Sequence, residues 1–129
     1  PWLPVKPAQS ALNVASQNVD ETSTLAFYRR ILAWRKTRPM LALGEIAFFE
    51  VAEPILAFRR DSDAGAMLCI FNLSAADHAV AVTDLPAAAG LEAVSERAVL
   101  DGEGLHLSAN GYAFIAIEGT SKAAVSDLA

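Results

Sequence analysis

A change of period at Pro39 constrains this chain more than any other feature. Before it, Asp20 to Arg38 reads as one amphipathic helix. Leu25, Tyr28, Ile31, Leu32 and Arg35 form one face at i, i+3, i+4 spacing, and Phe27, Ile31 and Trp34 make a second stripe beside it. Asp20 is placed to cap the helix, and Glu21 falls in the first turn, where the dipole favours negative charge. Pro39 ends it, because proline disfavours helical geometry at Arg38 and has no amide hydrogen. After Pro39 the period shortens. Glu45 to Val51, Ile55 to Arg60, Ala66 to Leu73, His78 to Val82, Leu91 to Val94, Ala98 to Leu100, Leu105 to Ser108 and Gly111 to Glu118 each read as strands. Turn signals separate them, among them Glu53-Pro54, Asp61-Ser62-Asp63-Ala64-Gly65, Asp101-Gly102-Glu103-Gly104 and Asn110-Gly111. About eight short strands at this spacing predict a mainly β fold, an antiparallel β-sandwich preceded by a single helix. From Gly119 onward there is little to bury, and a frayed tail is expected.

With 129 residues, 53% of them hydrophobic by the broad count, the chain has enough material for one compact core. No stretch approaches the ~18 apolar residues of a spanning helix, so no membrane segment is expected. Residues 1–16 have neither the basic start nor the apolar run of a secretory signal. The net charge of −5 is unevenly laid out: Arg29, Arg30, Arg35, Lys36 and Arg38 crowd the helix, and acids dominate beyond Arg60. That balance argues against nucleic acid as a partner, and basic residues near a helix C-terminus have the plain role of complementing its dipole. Residues 1–19 carry three prolines in the first seven positions and no sustained period, so they are expected to be irregular and to lie across another surface. The start at Pro1-Trp2, without an initiating Met, reads as the interior of a longer polypeptide. Two apolar stripes on one helix suggest two neighbours, one of them outside this chain.

No residue of the sequence reads as catalytic, cofactor-binding or metal-ligating. Glycoside hydrolysis requires two carboxyl groups flanking a sugar, nucleophilic catalysis an activated Ser or Cys, and metal chemistry clustered ligands. His78 and His106 are far apart in sequence, each read as a lone structural histidine. Cys69, inside the apolar run Met67-Leu68-Cys69-Ile70-Phe71, reads as a buried strand thiol without a disulfide partner. Asp61-Ser62-Asp63-Ala64-Gly65 departs from a calcium loop: its glycine comes one place early and its twelfth position is Asn72. Asn72-Leu73-Ser74 matches a glycosylation acceptor, a three-residue pattern with little specificity. Phe58, Phe71, Tyr112 and Phe114 sit in apolar alternation and are read as core. Adjacent Phe48 and Phe49 must point to opposite faces of their strand, so one ring faces away from the core, the single aromatic hint of a surface site.

With these elements placed, the chain resembles the C-terminal part of an α-glucosidase or oligo-1,6-glucosidase of the α-amylase superfamily. The resemblance is carried by Pro1-Trp2-Leu3-Pro4-Val5, Asn13-Val14, Leu25-Ala26-Phe27-Tyr28-Arg29-Arg30-Ile31-Leu32 with Arg35-Lys36 and Pro39, Gly44, Asn72-Leu73-Ser74 and Gly111-Tyr112-Ala113-Phe114-Ile115. It implies that residues 1–39 are the end of a catalytic (β/α)8 barrel, with the helix its last. Residues 40–118 would form the C-terminal β-sandwich domain, and 119–129 a tail. A retaining mechanism in such enzymes uses an aspartate nucleophile and a glutamate acid/base ~5 Å apart. The family's motifs for those residues have no counterpart here, so no catalytic role carries over to any position. The resemblance thus implies a noncatalytic portion of a cytoplasmic enzyme acting on short α-glucosides, its partner being the barrel of the same polypeptide. The alternative is a stand-alone carbohydrate-binding or protein-interaction sandwich.

Overall fold

The computed structural model describes residues 4, 6–119 and 121–129, so most of the Pro1–Val5 motif lies outside the described residues. The chain divides into two compact units, Pro1–Thr37 and Arg38–Ala129.

The first unit is helical, including the part expected to be irregular: α1 Pro7–Ser10, α2 Val14–Asn18 and α3 Thr24–Lys36. Asn13 caps α2, its Oδ1 accepting from Ser16 N at 2.9 Å. The long helix starts later than expected because Asp20 is occupied elsewhere. Its Oδ1 accepts from both the backbone N–H and the hydroxyl of Thr22, at 2.8 and 2.6 Å, closing a local turn. Ser23 caps α3 instead, accepting from Ala26 N at 3.2 Å. The Ser23 hydroxyl also donates to Gln17 O at 2.7 Å, and Gln17 Oε1 accepts from Leu25 N at 3.1 Å, joining α2 to α3. Of the two stripes on α3, Phe27, Ile31 and Trp34 are half-buried, while Tyr28 and Leu32 stand 57% and 49% exposed. Pro39 does more than end a helix. It opens the second unit at the first position of α4, Pro39–Leu43, where a missing N–H costs nothing.

The second unit is an all-antiparallel sheet of seven strands folded into two layers: β1 Glu45–Phe48, β2 Ile55–Ser62, β3 Gly65–Asn72, β4 His78–Thr83, β5 Glu96–Asp101, β6 Gly104–Ile117 and β7 Ala124–Asp127. Strand β6 belongs to both layers. Its first part pairs with β4 and β5 (Leu105 opposite Val80 and Leu100), and its second with β3 (Ala113 opposite Ile70). The core lies between the layers: Ala57, Leu68, Ile70, Ala113 and Ile115 from one side, Val80, Leu105, Leu107 and Val125 from the other. Two glycines are required by close backbone approach at positive φ. A Cβ on Gly65 would sit 2.6 Å from Ile117 O, and one on Gly104 2.5 Å from Val80 O.

Three expectations are corrected. The two strands read either side of Asn110-Gly111 are one, β6. Asn110 takes a left-handed φ of 56° inside the strand and bends it, and the pairing with β5 shifts register between Glu96 and Ala98. Leu91 to Val94 is not a strand. Leu91 alone bridges to Ile115, and the chain turns back at once, Ser95 N donating to Glu92 O at 2.9 Å. The expected tail, 119–129, is not frayed over residues 121–129, because β7 pairs with β4 and its Val125 is 4% exposed. Both ends of that segment are tied: Arg59 Nη1 donates to Ala123 O at 3.2 Å, and Ala52 N to Asp127 Oδ1 at 2.9 Å.

Placing a carboxylate at Val125 distinguishes a core strand from a tail. Val125→Asp is expected to lower unfolding free energy by more than ~2 kcal/mol, because an unpaired polar group would enter the core. A change within ~0.5 kcal/mol in urea denaturation is what a solvated tail would give.

Candidate functional site: the outer aromatic face

Strand alternation divides the aromatic residues from the core. Ala57, Ile70 and Ala113 lie opposite one another on neighbouring strands and face inward. Their neighbours Phe58, Phe71, Tyr112 and Phe114 therefore line the outer face of the β1–β2–β3–β6 layer. The sequence reading of these four as core holds for Phe114, which is buried, while Phe58, Phe71 and Tyr112 are half-buried; together they build a second apolar surface on the far side of the same sheet. Phe48 joins them, opposite Phe58 on β1. Ring centroids run Phe48–Phe58 5.6 Å, Phe58–Phe71 6.0 Å, Phe71–Tyr112 6.3 Å and Phe71–Phe114 5.7 Å, within the range of favourable aromatic pairs. Phe49, one residue on, packs against the inner core, as the period of two requires. Phe48 itself is 65% exposed.

Strand β3 is consequently buried on both faces. Ala66, Leu68 and Ile70 enter the inner core, and Met67 and Cys69 are buried on the other side. Helix α4 packs against β2 and β3, burying Met40 and Leu41. Its end is held by Arg60, whose Nη2 donates to Gly44 O at 2.8 Å. Arg38 Nη2, before α4, meets Glu92 Oε2 at 2.6 Å. Apolar residues remain exposed at the rim of the face: Ile46 on β1, Leu56 on β2, and Leu73 just past β3. Cys69 sits between Phe58 and Phe114 in the register, and burial pushes its thiol up to about 12, against a smaller opposing pull from the Arg60 charge.

Of the polar groups singled out in the sequence, Asn72 has a complete set of structural partners. Asn72 is 3% exposed and fully engaged: its Nδ2 donates to Ala76 O at 2.6 Å and Ser108 O at 3.0 Å, and its Oδ1 accepts from Ser74 N and Oγ. A glycan on that amide is incompatible with the folded chain. His78 and His106 fall on paired strands, nearer than their sequence separation suggested. His78 lies opposite Leu107 and His106 opposite Ala79, so the two imidazoles leave opposite faces of the sheet. His106 Nε2 is 3.4 Å from Asp101 Oδ1. The Asp101 carboxyl is held below its ordinary range, chiefly by the Glu103 N–H, with the His106 charge contributing less. Oδ1 accepts from Glu103 N at 2.8 Å, the mark of a tight turn between β5 and β6. Among the described residues no three of His, Cys, Asp and Glu are grouped so as to hold a metal ion.

Two measurements test this description. Asn72→Ala removes the amide that bonds the Ala76 carbonyl in the β3–β4 turn and the buried Leu107 carbonyl in β6, and should cost about 1–3 kcal/mol in urea denaturation; a loss below ~0.5 kcal/mol contradicts the clamp. Cys69 should resist alkylation at pH 8 in the native chain and react fully in denaturant. The unfolded thiol ionises near 9.0 and the folded one near 12, so its contribution to stability is complete below pH 9 and is lost as pH rises toward 12. Rapid native labelling at pH 8 contradicts the burial.

No protein-family model matches the chain. A probable alpha-glucosidase of Rhizobium meliloti (strain 1021) is 43% identical over 74 residues, which are 57% of this chain and 13% of that protein. Among solved structures, the alpha-glucosyl transfer enzyme XgtA is 37% identical with a TM-score of 0.78, over 92% of this chain and 22% of that one. The trehalulose synthase MutB from Pseudomonas mesoacidophila MX-45 matches 92% of this chain and 22% of its own at 22% identity and a TM-score of 0.70. An alpha-amylase from H. orenii matches 82% and 22% at 20% identity and a TM-score of 0.65; these last two speak to the fold alone. The chain spans 13% of the curated relative and 22% of each solved neighbour. The resemblance read from the sequence therefore stands: the chain is similar in sequence to part of a probable alpha-glucosidase, and in sequence and mainly β fold to part of an alpha-glucosyl transfer enzyme.

Proposed function

We propose that the chain is the noncatalytic C-terminal portion of a cytoplasmic α-glucosidase, supporting a (β/α)8 barrel that hydrolyses terminal α-glucosidic bonds of short oligosaccharides with retention. One observation carries the reading: 37% identity to an alpha-glucosyl transfer enzyme extends over 92% of this chain yet only 22% of that enzyme. A part so matched brings the fold of its relative and leaves the bulk of the enzyme, with its barrel, outside these residues. In this reading α3 is the barrel's last helix. Its exposed stripe, Tyr28 and Leu32, supports the assignment, since apolar side chains one helical turn apart are suited to packing on a neighbour. The outer aromatic face ends at an exposed rim in the same way, and is the second surface suited to contact with the remainder of the enzyme.

The chemistry assigned to the barrel needs two carboxyl groups at close range, one forming a glycosyl-enzyme and the other passing protons. A glucosyl group held in that way can go to water or to another hydroxyl, which accommodates likeness both to a glucosidase and to a glucosyl transfer enzyme. The sandwich contributes stiffness. Its strand β3 is buried on both faces, which suits a rigid support.

A second reading, a stand-alone carbohydrate-binding module, is favoured by the 65% exposure of Phe48, a ring free to stack on sugar C–H faces. The readings part in two assays. Purified residues 1–129 should release no glucose from short α-glucosides; steady release above a buffer control contradicts the first reading. The same chain should pass unretarded through an α-glucan affinity gel, as should Phe48→Ala. Retardation of the native chain that Phe48→Ala abolishes establishes the second reading in place of the first.

A further inference from the structure

We draw no further inference here: the strongest candidate outside the face already described, the open cleft of about 600 Å³ between α4 and the β2–β3 turn lined by Glu45, Asp61, Asp63, Pro39 and Leu43, is a cluster of acidic residues to which no second observation adds a ligand, Asp61 being held by Arg59 at 2.7 Å.

Discussion

Strand β6 is the constraint on which the β unit depends. It pairs with β4 and β5 along its first part and with β3 along its second, so a single segment carries both layers of the sandwich. The change of layer occurs at Asn110-Gly111. Asn110 adopts the left-handed conformation that asparagine tolerates better than most residues. Gly111 is needed because a Cβ there would lie 2.5 Å from Arg97 O and 2.8 Å from Ser108 O. The bend is fixed from the other side by the β3–β4 turn: Asn110 N donates to Ser74 O at 2.8 Å, and Asp77 Oδ1 accepts from Ala109 N at 3.1 Å. Asn72, at the end of β3, bonds both the turn and β6. One corner thereby sets the spacing of the two layers and the direction of every side chain on β6.

That direction creates the aromatic face. Once Ala113 and Ile115 are committed to the inner core, Tyr112 and Phe114 must point outward, next to Phe71 and Phe58. A sheet apolar on both faces suits a layer sandwiched between other elements better than one with a wetted side. Helix α4 covers part of the outer face, and Ile46, Phe48 and Leu56 stay exposed at its rim. Each unit thus leaves apolar surface exposed, Tyr28 and Leu32 on α3 and Ile46, Phe48 and Leu56 at the edge of the sheet.

Much of this was legible in the residues, for physical reasons that also explain the failures. Strands β2, β3 and β4 announced themselves through apolar runs bounded by turn residues, and the opposed directions of Phe48 and Phe49 followed from the period of two alone. The face occupied by Phe58, Phe71, Tyr112 and Phe114 did not. Where both sides of a strand are apolar, as in Met67 to Phe71, alternation cannot say which side is the interior. Strand β7 offers Val125 to the core, with Ala123 just before it, too few positions to establish a period. Helices α1 and α2 span four and five residues, below the length at which periodicity is visible, although Asn13 as a cap was a usable sign. Asn110-Gly111 reads as a turn because that pair favours left-handed backbone, and the same preference serves equally well for a bend within one strand.

The likeness to an α-glucosidase was legible in the sequence motifs, and the relatives bear it out. The central claim is that these residues support a catalytic body and do no chemistry themselves. Its most direct test is to produce the remainder of the parent polypeptide separately and titrate it with this chain, following association by sedimentation and turnover by glucose release. The account predicts a one-to-one complex, with turnover that is low for the remainder alone and rises to saturation as the chain is added. Full turnover by the remainder with no association, or turnover by this chain alone, would contradict it.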